Sequence, residues 1–160
     1  MYLFFGYGYR LSLSRQSLGQ HQALLSPMKL SQVILWLARL AAAAIMLQTL
    51  FFKFTGAPES VYIFSTVGIE PWGRWLTGSL ELVASVLLLI PVTSIWGAVL
   101  TVGLMAGAIG VHFIFLGIAV QGDGGYLFFL AVITLACALA SLWIQQQQVR
   151  VVLTRILNRF

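Results

Sequence analysis

Three ionisable side chains stand inside long apolar runs: Arg39 in VILWLARLAAAAIMLQTLFF, Glu81 in PWGRWLTGSLELVASVLLLI and His112 in GLMAGAIGVHF. A charge surrounded by hydrocarbon is costly, so such residues mark sites by default. A lone carboxylate there is either protonated or paired with a cation, and Arg39 and His112 are the central cations on offer. An acid and an imidazole can give and take protons, which suits proton-coupled chemistry. The same groups also suit a polar knot that only fixes helix rotation, with Arg39 free to snorkel away from it. A second set, Lys53, Glu70, Arg74 and Asp123, falls near one edge of the runs. It is suited to an ion-pair network, which contributes little stability when exposed.

These residues need helices to hold them. The chain has 160 residues, 60% of them hydrophobic and 8% charged, whereas a soluble domain carries about 25% charged residues. Four apolar runs, at about 31–52, 71–90, 94–120 and 126–144, reach or nearly reach the roughly 20 residues that cross a bilayer as helix. No run shows the strict alternation of a membrane strand. The expected fold is an all-α, integral membrane four-helix bundle occupying residues 28–146. Pro91 ends the second run, Pro71 suits its first turn, and QGDGG at 121–125 makes a tight turn before the fourth. The long first loop holds PESVYIFSTVG, read as a short interfacial helix opening at Pro58 and Glu59. Counted from the outer ends of the runs at 1.5 Å per residue, Glu81 lies about 15 Å deep, His112 about 12 Å and Arg39 about 20 Å. Long side chains bridge such differences, so the three are expected to form one cluster. Arg74, Thr77, Gly78, Glu81 and Ser85 share a helix face that should look into the bundle. Gly103 with Gly107, and Ala106 with Gly110, have the spacing that lets two helices approach closely.

Arg10, Arg15 and Lys29 flank the first run, and Arg150, Arg155 and Arg159 follow the last. Positive charge stays in the cytoplasm, so both termini are expected inside. Trp36, Trp96 and Trp143 then fall near the inner surface, and Trp72 and Trp75 near the outer one. Residues 1–27 have no sustained period and no signal-peptide pattern, and read as a disordered or mis-assigned tail. Residues 147–160 read as a basic cytoplasmic tail.

The formal net charge of +5 comes without a basic stripe interleaved with aromatics, so nucleic acid is not an expected partner. The lone Cys137 forms no internal disulfide or CxxC pair, and reads as a small buried or lipid-facing residue. A haem held by two axial histidines is excluded because only His112 lies in a run. No zinc spacing, phosphate loop or calcium loop is present, and no metal is expected.

Taken together, LARLAAAAIMLQTLFFKFTG, GIEPWGRWLTGSLELVASVLLLIP, GLMAGAIGVHF and the DGG turn resemble the DoxX family of small four-helix membrane proteins, over about Ile34 to Trp143. In that resemblance Glu81 matches the Glu-Leu of the second span and His112 the histidine of the third. It implies a multi-pass protein of the cell inner membrane. Some members are linked to a thiosulfate:quinone oxidoreductase, others to membrane redox and thiol-stress complexes. The expectation is a redox-linked subunit with quinone as its candidate cofactor and a membrane redox complex as its candidate partner. The alternative is a non-enzymatic scaffold or assembly factor, or a conduit for small solutes or protons, with a second copy of the chain as another candidate partner.

Overall fold

A computed structural model describes the backbone of residues 30–157 and the side chains of residues 30–146. The expected N-terminal tail, and the side chains of the expected C-terminal tail, lie outside the described residues. The described part is all helical: α1 Leu30–Thr55, α2 Pro58–Val67, α3 Trp72–Leu89, α4 Ser94–Val111 and α5 Tyr126–Leu157, with a π-helical turn at His112–Leu116. Ile34 onward forms one compact unit.

The buried stripes follow from spacing. α1 buries Leu35, Arg39, Ala42, Ala43, Met46 and Leu50, and α3 buries Gly73, Arg74, Gly78, Glu81, Ala84, Ser85 and Leu88. Both sets recur every three or four residues, the period of one helix face. The inward-looking face expected on the second run is therefore the one α3 buries. α5 buries Ala131, Thr134, Ala138, Ser141 and Gln145, all small except at the last position. Small residues let helices approach closely where the surrounding lipid gives no hydrophobic drive. The core proper is Ala42, Met46, Ala84, Leu88, Ala98, Met105 and Ala131, with Cys137 half-buried against it. Buried hydroxyls of Ser85, Thr101 and Thr134 donate to carbonyls one turn back, at 2.8 Å each. No hydroxyl of that set is left unpaired in the core.

α4 packs against both α3 and α5, and α2 touches the start of α3 and the π-helical turn. The end of α1, α2, the start of α3 and the π-helical turn thus lie at one end of the bundle. The first half of α1, the end of α3, the start of α4 and the later part of α5 lie at the other. Outward faces carry large apolar side chains such as Leu37, Val83, Val99, Phe113 and Ile133. Burial of those faces requires lipid, and the chain is a multi-pass membrane protein on this ground.

Among the described residues, three stretches are long and apolar enough to cross a membrane: Leu30–Thr55, Ser94–Leu116 and Tyr126–Gln146. α3 is not among them. Its 18 residues include Arg74, Glu81 and two tryptophans, which dilute its apolar character although the two ions face inward.

Two expectations change and one run extends. The third run ends as regular helix at Val111, well short of residue 120. The carbonyl of His112 accepts from the N–H of Gly117 at 2.7 Å, closing a π turn, and Gly117 then stops the helix with φ 74° and ψ −175°. That backbone region is essentially open to glycine alone. The fourth apolar stretch, Tyr126–Gln146, agrees with the expected run, and its helix goes on to Leu157, because QQQQVRVVLTRIL contains neither glycine nor proline to break it. The expected close-packing stripe on α4 is not used among the described residues: a Cβ added at Gly103, Gly107 or Gly110 meets nothing within 4 Å.

Candidate functional site

α1 ends beside the start of α3, and Lys53 is the hinge of this contact. Its stem crosses Gly78, where an added Cβ would sit 3.5 Å from Lys53 Cβ and 3.6 Å from its Cδ. The missing side chain at Gly78 leaves a lane for four methylenes. Along it Lys53 Nζ reaches Glu81 Oε2 at 2.7 Å, one turn deeper in α3. Thr49 completes the group. Its hydroxyl lies 3.1 Å from the same Oε2, and Lys53 Nζ donates to it at 3.3 Å. The Lys53 side chain keeps 15% of its surface and that of Glu81 7%. In so little water a carboxylate needs its cation, and removing one partner strands the other.

Arg74 anchors the same end. A cation in the first turn of a helix opposes the helix dipole, but this guanidinium points away to better partners. Its Nη1 donates to the carbonyl of Lys53, among the last four carbonyls of α1, which have no partner within their own helix. Its Nε and Nη2 bind Glu70 at 2.7–3.0 Å. Gly56, at φ 69°, carries the chain out of α1 past this guanidinium, where an added Cβ would sit 3.6 Å from Arg74 Nη1.

His112 sits at the π turn. Its Nδ1 lies 2.8 Å from the carbonyl oxygen of Gly117. A carbonyl only accepts, so Nδ1 carries the proton. The ring meets Phe128 edge-on at 5.5 Å between centroids. Asp123 holds the neighbouring turn, accepting from the N–H groups of Val120 and Gly125 at 2.8 Å and Leu127 at 3.0 Å. Burial alone pushes its carboxyl upward, but these three bonds, helped by nearby His112, hold it below the usual aspartate value. From just outside the helix it caps the first turn of α5 through the N–H of Leu127.

Arg39 lies at the other end. Its Nη2 donates to Ser94 Oγ at 2.7 Å, and Ser94 Oγ donates to Gln145 Oε1 at 2.8 Å. Gln145 Nε2 donates to the carbonyl of Ser141 at 3.0 Å. The Trp36 ring lies 5.5 Å from Arg39 Cζ, within cation–π range.

The single cluster of Arg39, Glu81 and His112 is therefore not formed: among the described residues no hydrogen bond or ion pair joins any two of them. The reason is height along α1. Lys53 lies about four turns beyond Arg39, roughly 20 Å along the axis, and is the cation at the level of Glu81. The expected outer-edge network splits likewise. Arg74 and Glu70 pair, Lys53 leaves for Glu81, and Asp123 caps a helix. Sequence reasoning missed Thr49, Ser94, Ser141 and Gln145. The signal for Thr49 and Lys53 was their place on the stripe 35, 39, 42, 46, 49, 53, which shares the face of Arg39. Ser94 and Gln145 gave no comparable signal, being polar residues at run ends.

No curated protein and no solved structure matches this chain. The match to a family extends over residues 36–141 and takes in Arg39, Lys53, Glu70, Arg74, Glu81, His112 and Asp123. Covering well over half of the chain, it makes this protein a member of the DoxX-like family.

Proposed function

We propose that this protein is a four-span subunit of the cell inner membrane, with both termini cytoplasmic, that serves quinone chemistry through Glu81. The supporting observation is the binding of that carboxylate. Lys53 and Thr49 both occupy Oε2, while Oε1 accepts no hydrogen bond from the described residues. A carboxylate held by one oxygen keeps the other for a proton. Reduction of a quinone to its quinol takes two electrons and two protons. Glu81 handles protons at a quinone oxygen, and the electrons come from a partner redox complex in the same membrane. In this reading α3 is the fourth crossing, its two ions hidden on the inner face. Binding of a quinone analogue to the detergent-purified protein tests the idea. Glu81→Gln is expected to weaken it at least tenfold and His112→Ala to weaken it less. Equal binding by wild type and both variants removes the proposal.

A second reading, a scaffold or assembly factor, or a solute conduit, has one observation in its favour. Gly103, Ala106 and Gly107 are exposed on α4 with no neighbour at the glycines. That face is left for a helix of another chain. Partner capture that fails on Gly103→Leu, with quinone binding absent, favours this reading over the first.

A further inference from the structure

The chain has four side-chain carboxylates, at Glu59, Glu70, Glu81 and Asp123, and all lie within the described residues. Glu70 is paired with Arg74 and Glu81 with Lys53. Asp123 is engaged with three backbone N–H groups. Glu59 is exposed in the first turn of α2, at the far end of the bundle from Arg39. No side-chain carboxylate of this chain is bound to Arg39, yet Arg39 is only 5% exposed.

An ionised group removed from water is held by an opposite charge or by a full set of hydrogen bonds. A guanidinium has five N–H donors. Among the described residues Arg39 makes one hydrogen bond, to Ser94, and its Nε is buried without a partner. The other buried, unpartnered side-chain atom among them is Ser141 Oγ, in a residue that is 0% exposed. Ser141 stands one turn before Gln145 on the same buried face of α5, its backbone carbonyl accepting from Gln145 Nε2. A guanidinium with no side-chain counter-charge and an unpartnered N–H on α1, and an unpartnered hydroxyl on α5, thus sit on the two helices that Ser94 of α4 ties together through Arg39 and Gln145. That donor set is complementary to an oxyanion.

The level of the site says where such an anion comes from. Trp36 lies against the guanidinium. Trp96 and Trp143, 70% and 69% exposed, stand two residues from Ser94 and Gln145. Tryptophans gather where head groups meet hydrocarbon. We infer that Arg39, Ser94, Ser141 and Gln145 form an oxyanion site for a phosphate group, entered from the membrane surface. The phosphate is carried by an anionic lipid or is free in the adjoining water. The site lies at the opposite end of the bundle from Glu81 and does not depend on the quinone reading.

The test uses the full chain in nanodiscs, melted with tryptophan fluorescence as the readout. Three conditions are compared: phosphatidylcholine alone, phosphatidylcholine with phosphatidylglycerol, and phosphatidylcholine with inorganic phosphate replacing chloride. A rise in Tm with phosphatidylglycerol alone assigns the site to a lipid head group; a rise with inorganic phosphate assigns it to the free ion. Either response should vanish in Arg39→Gln and shrink several-fold in Ser141→Ala. Should Arg39→Gln fail to fold, Ser141→Ala carries the test, since it removes a hydroxyl that no described residue binds. Equal melting of the wild type in all three conditions, or an anion response unchanged in Ser141→Ala, overturns the inference.

Discussion

His112 and Gly117 hold each other twice. The Gly117 N–H donates to the His112 carbonyl at 2.7 Å, and His112 Nδ1–H donates back to the Gly117 carbonyl at 2.8 Å. Backbone and side chain together close the π turn, and π turns occur often at functional positions. The contact places a proton on Nδ1, and Nε2 has no hydrogen-bond partner among the described residues.

Gly117→Ala should destabilise the protein by about 1–3 kcal/mol, because φ 74° with ψ −175° is strained for any residue with a Cβ. The check is an unfolding titration in mild detergent. Nitrogen NMR of labelled histidine should also report the Nδ1–H form in the wild type. A dominant Nε2–H form would contradict the hydrogen bond.

Asp123 predicts a pH dependence with a definite sign. Its folded pKa lies below the unfolded value, so the stability it contributes is present above that unfolded value, about 3.9. It is lost as pH falls through the lower, folded one. Asp123→Ala should cost about 0.5–2 kcal/mol at pH 7, the usual worth of a helix cap. That difference from wild type should stay constant down to about pH 5 and shrink in stronger acid. Melting curves of both proteins across that range measure it.

Two glycines of α4 should behave oppositely. A Cβ at Gly97 would lie 2.5 Å from the backbone N of Leu88 and 2.8 Å from the backbone C of Leu87. Backbone cannot swing aside, so Gly97→Ala must push α3 and α4 apart, at a cost of about 1–3 kcal/mol or more. Gly103→Ala meets open space and should be neutral or stabilising by up to about 1 kcal/mol through helix propensity. Paired unfolding measurements decide this, and equal losses would contradict the packing described.

Faces were legible in the sequence and partners were not. The recurrence of Arg74, Gly78, Glu81 and Ser85 told which side of α3 turns inward, because helical period alone sets that. Pairing depends instead on the relative height of helices, which no single run encodes. Lys53 looked like an edge residue because its backbone is one; its stem crosses Gly78 to a carboxylate a turn deeper. The apolar run through Phe113–Val120 looked continuous because nothing but Gly117 interrupts it, and one glycine does not announce a π turn. Gln145 and Ser94 met only because the later part of α5 lies beside the start of α4.

The central claim is that Lys53 is the counter-ion of Glu81. A double-mutant cycle tests it most directly, with unfolding free energies in nanodiscs for wild type, Lys53→Met, Glu81→Gln and the double variant. Each single change should cost toward the lower end of about 3–5 kcal/mol, since Lys53 keeps some water contact. The double variant should cost clearly less than the two together, giving a coupling of about 1–3 kcal/mol. Additive losses for this pair, with coupling found instead between Glu81→Gln and Arg39→Gln, would contradict the account.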